Sequence, residues 1–229
     1  MLDIDVGNLI LYMVALIFSL SFHESAHAWT SDQFGDSTAR LLGRISLNPR
    51  THVDPLGTVV IPILGFISHF PLIGFAVPTP VDPSRWRDKV KAEIAVSAAG
   101  PISNFILAAG TFAIIKTLLT FGIMQQGFEG SIFFNLIAPP AGHSVLLEPV
   151  AKLLSIMLML NLSLGVFNLV PIPPLDGSHV LEVLLPYEMA QAYGQIRPFG
   201  MWILMALVYV GALNFIFIPI RFVASLLFV

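Results

Sequence analysis

Long apolar runs alternate along the chain with short polar stretches rich in proline. Four runs are long enough to cross a bilayer, whose hydrocarbon core of about 30 Å takes about 20 helical residues. They are roughly Gly7–Trp29, Glu93–Ile123, Val150–Val170 and Phe199–Ile220. A fifth, Leu56–Phe75, is apolar but carries Pro62, Pro71 and His69. Arg40, Arg44 and Arg50 precede it, and Arg85, Arg87, Lys89 and Lys91 follow it. Lys and Arg collect on the cytoplasmic side of a membrane, so both flanks belong on one side. The fifth run therefore reads as a re-entrant or hairpin element; an ordinary span would leave one basic cluster outside. Backbone that turns within a membrane is tolerated where protein or a cavity covers it. The expected fold is an all-α polytopic membrane protein of about five to six membrane segments, with small extended loop segments on the cytoplasmic side.

The same charge rule orders the remainder. The loop Met124–Glu148 carries Glu129 and Glu148 but no Lys or Arg, as expected outside, and Pro171–Pro198 returns inside with Arg197. The N-terminus, with Asp3 and Asp5 and no basic region, is expected outside, its first apolar run retained as a helix rather than cleaved as a signal. The His23–His27 end of the first span then faces the cytoplasm. No repeat or linker interrupts the pattern, so residues 1–229 read as one membrane-embedded domain, in a multi-pass protein of the cell membrane.

Composition agrees. The chain is 56% hydrophobic and 11% charged, against about 25% charged in soluble domains, and its mean hydropathy is +0.84. A net charge of −3 offers no basic excess for nucleic acid. The expected surroundings are lipid and other membrane proteins. With no cysteine, thiol catalysis, disulfides and cysteine-ligated metal are excluded.

Against this background the segment "FHESAHAW" is costly. A charged side chain at the bilayer centre costs about 2.5–3.5 kcal/mol on insertion scales. Yet His23, Glu24 and His27 fall within five residues of the first span. Residues i and i+4 share a helix face, so His23 and His27 can present two imidazoles to one ion. Glu24, beside the first, can reach a water on that ion. This is the H-E-x-x-H arrangement, in which the glutamate is general base to a zinc-bound water. The bland alternative, two structural histidines in a helix bundle, leaves the glutamate unexplained. A hydrolytic zinc needs a third protein ligand and an open position. Asp176, in "NLVPIPPLDGSHV", follows prolines that break the preceding helix and turn the chain inward. His179, His52 and Asp54 compete for the role, and residue chemistry favours Asp176 only modestly.

A third segment, "SAAGPISNF" (97–105), opens the second long span. Its small residues let another helix approach closely. Asn104 places an amide in a packed interior, where it needs partners: an oxyanion, a substrate backbone, or an interhelical hydrogen bond. The runs Leu158–Val170 and Trp202–Val210 read as helix and lipid packing.

Together, "HESAH", "GPISN" and "LDGSH", with "NPRTHVDPLGT" and "GFAVPTPVDP" in the loops, resemble the site-2 protease family of intramembrane zinc metalloproteases over about residues 20–185. The resemblance implies hydrolysis of peptide bonds in transmembrane or membrane-associated substrates near the cytoplasmic face. It also implies one zinc per chain held by His23, His27 and Asp176, with Glu24 as catalytic base and Asn104 assisting substrate or oxyanion binding. Many members insert a PDZ domain between the second and third motif spans, or add a C-terminal nucleotide-sensing domain. This chain reads as the compact form without either, and it has Val77 where relatives often carry lysine. The broken segment Leu56–Phe75 and the Pro-rich stretch Val77–Pro83 are expected to offer an extended edge for an unwound substrate strand, so replacing residues 76–82 should impair cleavage and leave zinc bound. Two other functions share the metal residues: a metal-handling transporter, and a non-catalytic relative that binds membrane helices.

Overall fold

The computed structural model describes residues 5–68, 74–127, 131–142, 145–212 and 214–229; His69, Pro71 and Glu129 lie outside them. Three helices are long and apolar enough to cross a membrane: α1 (Val6–Gln33), α4 (Lys89–Thr120) and α5 (Leu147–Asn168). Short helices α2 (Thr38–Leu41) and α3 (Ile61–Ser68) lie between the first two. Asp5 starts α1 by accepting from the Asn8 N–H at 2.9 Å, and Asp88 starts α4 by accepting from the Lys91 N–H at 3.1 Å. Both caps fill orphan donors of a first turn.

The three long helices pack against one another. α5 is the most enclosed, with 61% of its apolar window buried against 33% for α1 and 28% for α4. On α4 the buried positions Ala92, Val96, Gly100, Asn104, Ala108, Thr111 and Ile115 recur every three or four residues. That spacing is one face of a 3.6-residue helix, and it puts the small residues and Asn104 against α1 and α5. Pro101 lies within α4 and has no N–H to bond the turn before it.

The fifth apolar run is a hairpin. It opens with a six-residue π-helical turn, Pro55–Val60, capped by Asp54 on the N–H groups of Leu56 and Gly57. It continues as α3, whose eight residues rise only about 12 Å. The chain then returns to its own start. The Phe75 N–H donates to the Gly57 carbonyl at 3.1 Å, the Thr58 hydroxyl donates to the Phe75 carbonyl at 2.8 Å, and the Val77 N–H donates to the His52 carbonyl at 2.9 Å. Gly57 makes this closure possible, because a Cβ there would stand 2.4 Å from the Phe75 ring.

Between α4 and α5 the connection forms only a two-residue antiparallel ladder, β1 (Gln125–Gln126) with β2 (Ile137–Ala138). Beyond α5, α6 (Asp176–Leu184) and α7 (Tyr187–Gly194) lie within the stretch Pro171–Pro198. The expected span Phe199–Ile220 is not one helix. It divides into α8 (Gly200–Tyr209) and α9 (Phe217–Ser225), and the apolar pair that contains them is bent by 75°. Gly211 causes the break: its φ of +71° is left-handed, a conformation that closes helices and suits glycine. Pro219 sits in the first turn of α9, where its missing N–H costs no hydrogen bond.

The segment after the hairpin is pinned to the end of α1 through Asp36, which is fully buried. Its carboxylate accepts from the Asp82 N–H at 2.7 Å, the Thr38 N–H at 3.0 Å, the Thr38 hydroxyl at 2.5 Å and the Ser31 hydroxyl at 3.1 Å. The Ser31 oxygen in turn accepts from the Trp86 indole at 2.8 Å. Burial works against the charge on Asp36, but the hydrogen bonds from Asp82, Thr38 and Ser31 outweigh it and hold the carboxyl below its ordinary 3.8. A depressed folded pKa stabilises the fold above the unfolded value, and that contribution is lost as pH falls through the folded value. Asp36→Asn is therefore expected to lower the melting temperature in detergent by about 5 °C at pH 7. The gap between variant and wild type should close as the pH falls below 3.8.

Candidate metal centre

His23 and His27 lie one turn apart on the buried face of α1, at 5% and 8% exposure. Their Nδ1 atoms point to opposite partners on α4. His23 Nδ1 is 2.7 Å from Asn104 Oδ1, and His27 Nδ1 is 2.6 Å from the Val96 carbonyl oxygen. The Val96 carbonyl can only accept, so His27 Nδ1 carries the proton.

The proton on His23 follows from a longer chain of the same logic. Asn161 Nδ2 donates to the Met157 carbonyl at 2.8 Å and to the Ser19 hydroxyl at 2.9 Å. Because the carbonyl must accept, the NH₂ of Asn161 faces it and its Oδ1 faces Asn104. Asn104 therefore turns its NH₂ to Asn161, at 2.9 Å, and its oxygen to His23. His23 Nδ1 must then be the donor. Asn104, Asn161 and Ser19 are all fully buried.

With both Nδ1 atoms protonated, a neutral imidazole has a bare lone pair on Nε2. The two Nε2 atoms approach to 3.0 Å. Asp176, the first residue of α6, adds its carboxylate: Oδ2 is 3.2 Å from His23 Nε2 and Oδ1 is 3.5 Å from His27 Nε2. Oδ2 is buried and makes no hydrogen bond. Donor atoms of the three side chains lie within 4.8 Å of one another, the group among the described residues that could hold a metal ion. Two unshared nitrogen pairs and a partnerless carboxylate oxygen suit a cation with nitrogen and oxygen ligands.

Room for an ion comes from Gly100. A Cβ at this position would lie 2.3 Å from His27 Nε2 and 2.5 Å from His23 Nε2. The imidazoles cannot retreat without breaking their Nδ1 contacts. Gly177, after Asp176, is also required, since a Cβ would meet the Leu169 carbonyl oxygen at 2.2 Å.

The other candidates for third ligand are engaged elsewhere. His52 Nε2 meets the Ser46 carbonyl oxygen at 2.8 Å, Asp54 caps the π-helical turn, and His179 Nδ1 pairs with Glu93 at 3.1 Å. Of the partners open to Asn104, the structure shows interhelical hydrogen bonds, to His23 and to Asn161. Asn104 stands behind His23, with both ends of its amide bonded.

Glu24 is half-buried, and its Oε2 accepts from the Thr79 N–H at 3.0 Å, with the Thr79 hydroxyl 2.8 Å away. Thr79 belongs to the stretch expected to offer a substrate edge. That stretch forms no strand, and its donors are largely used: Val77 bonds His52, Thr79 bonds Glu24 and Asp82 bonds Asp36, while Pro78 and Pro80 have none. Sequence reasoning missed Thr79 and Asn161. Asn161 left a signal, as one of two amides within the run Leu158–Val170 read as packing.

The peptidase family M50 model matches residues 11–210. The chain belongs to that family, the site-2 proteases. Among M50-related proteins, YwhC of Bacillus subtilis is 35% identical over 195 residues, 85% of this chain and 78% of its own length. Rip2 of Mycolicibacterium smegmatis and Rip2 of Mycobacterium tuberculosis are each 31% identical over 209 residues, 91% of this chain and 70% of theirs. All three are named as candidate zinc metalloproteases. No solved structure matches. As an M50 member with long apolar helices, the chain is a membrane protein.

Two substitutions test the geometry. Gly100→Ala is expected to fold yet reduce bound zinc, measured by mass spectrometry, from about one per chain to near none. Asn161→Leu, two hydrogen bonds removed from the His23 ring, should weaken zinc binding about ten- to a hundredfold in a competitive chelator titration, because it leaves the Asn104–His23 contact unsupported.

Proposed function

We propose that the chain is an intramembrane zinc metalloprotease that cleaves transmembrane or membrane-associated protein segments close to the cytoplasmic face. The observation that carries this reading is the convergence of two bare imidazole nitrogens and a partnerless carboxylate oxygen, with a second carboxylate, Glu24, next in sequence to the first imidazole. His23, His27 and Asp176 hold one zinc. Bound there, zinc supplies Lewis acidity, polarising a carbonyl and bringing the pKa of a water from 15.7 toward about 7. Glu24 accepts the proton of the attacking water and returns it to the leaving amine as the peptide bond breaks. Asn104 and Val96 hold the imidazoles in the tautomer that leaves both Nε2 atoms free.

The placement in the membrane is part of the proposal. His27 lies six residues before the end of α1, about 9 Å along the helix. The segments that follow this end carry Arg40, Arg44, Arg50, Arg85, Arg87, Lys89 and Lys91. The positive-inside rule puts that end on the cytoplasmic side, where water has a short path to the site. A substrate helix hides its peptide bonds in its own hydrogen bonds, so it must unwind before Glu24 and the scissile carbonyl can meet.

A metal-handling transporter would use the same three ligands but gains nothing from Glu24. Glu24→Gln is therefore expected to keep about one zinc per chain and to lower cleavage of transmembrane peptides by about 10²–10⁴-fold. Asp176→Ala should lose both zinc and cleavage. Cleavage that survives Glu24→Gln, or folded wild type that takes up no zinc, would overturn the proposal.

A further inference from the structure

Pro78 and Pro80 flank Thr79 and have no backbone N–H. Thr79 therefore carries the one peptide donor of residues 78–80, and it is aimed at Glu24. Its N–H lies 3.0 Å from Glu24 Oε2. Its hydroxyl lies 2.8 Å from the same oxygen and 2.9 Å from the Glu24 carbonyl, with one proton to give to either. Among the described residues, Oε1 of Glu24 takes no hydrogen bond.

The contact is held from both sides. Two residues before Thr79, the Val77 N–H bonds the His52 carbonyl; three residues after it, the Asp82 N–H bonds buried Asp36 at 2.7 Å. Farther on, the Arg87 N–H bonds the Phe34 carbonyl at 3.0 Å. These ties lead to the residues just after α1 (Phe34 and Asp36) and to His52 before the hairpin. Thr79 thus keeps a set position relative to the helix that carries Glu24, while the flanking prolines restrict its backbone.

We infer that Thr79 is the positioning residue of the general base: it grips Glu24 by Oε2 and leaves Oε1 as the oxygen that takes the proton from the attacking water. The inference rests on the reading of Glu24 as that base. A carboxylate on a flexible two-carbon stem can rotate away from the reacting water, and donors from a pinned loop remove that freedom before substrate arrives. Hydrogen bonds to a charged group are stronger than those between neutral partners, and two on one oxygen favour one orientation.

The test uses the full-length protein in detergent and a mixture of synthetic transmembrane peptides with helix-breaking centres, the peptide best cleaved by wild type serving for kinetics. Thr79→Val removes the hydroxyl at nearly constant volume and keeps the N–H. It should lower kcat about tenfold with KM, bound zinc and melting temperature nearly unchanged, and Thr79→Ser should restore kcat. In the Glu24→Gln background, Thr79→Val should have no further effect. Independently of turnover, the infrared carboxylate band assigned to Glu24 by its loss in Glu24→Gln should shift in Thr79→Val and return in Thr79→Ser. Thr79→Ala gives the same reading if the valine variant does not fold. An inactive Glu24→Gln beside a Thr79→Val enzyme with wild-type kcat, or an unmoved infrared band, overturns the positioning role alone. An active Glu24→Gln overturns the general base itself.

Discussion

Inside a bilayer there is no water to satisfy a polar group, so every donor and acceptor at that depth must find its partner in the protein. This constraint organises the centre of the molecule. Each imidazole on α1 gives its Nδ1 proton to α4, and one of those contacts is passed on to α5. Three helices are thereby tied together by the same atoms that prepare two nitrogen lone pairs for a cation. Where the three side chains converge, two Nε2 lone pairs and one oxygen of Asp176 are left without a hydrogen bond. At that point the bundle leaves a deficit that an ion could fill.

Much of this was legible in the sequence. The pair His23 and His27, the neighbouring Glu24, and the long apolar runs follow from periodicity and from the cost of charge in a membrane. The hairpin followed from basic residues on both flanks, and the bonded ends at Gly57 and Phe75 agree with it. Asp176 was harder. Residue chemistry alone left it barely ahead of His179, and only the fold shows that His179 turns to Glu93 while Asp176 turns to the histidines.

Other features could not be read along the chain. Asn161 lies 57 residues from Asn104, and Thr79 lies 55 residues from Glu24; neither spacing has a period. Gly100 looked like ordinary helix packing, and it is that, but the space it leaves lies in front of two imidazoles. The break in the run after Phe199 is hidden for a different reason. The run's composition suits a span throughout, and a single glycine in a left-handed conformation divides it. Hydropathy averages over such a point, whereas backbone geometry does not.

The chain of amides behind His23 has a property beyond its strength. A row of hydrogen-bonded amides can run in either of two opposite senses, with every donor and acceptor exchanged, and the two differ little in energy. Here the sense is decided at one terminus by the carbonyl of Met157, a main-chain atom within α5. Substitution can cut the row at Asn104 or Asn161, but replacing the Met157 side chain cannot reverse it. The ring nitrogen of His23 that carries the proton is thus fixed by the polarity of a helix backbone, which lies beyond the reach of point mutation.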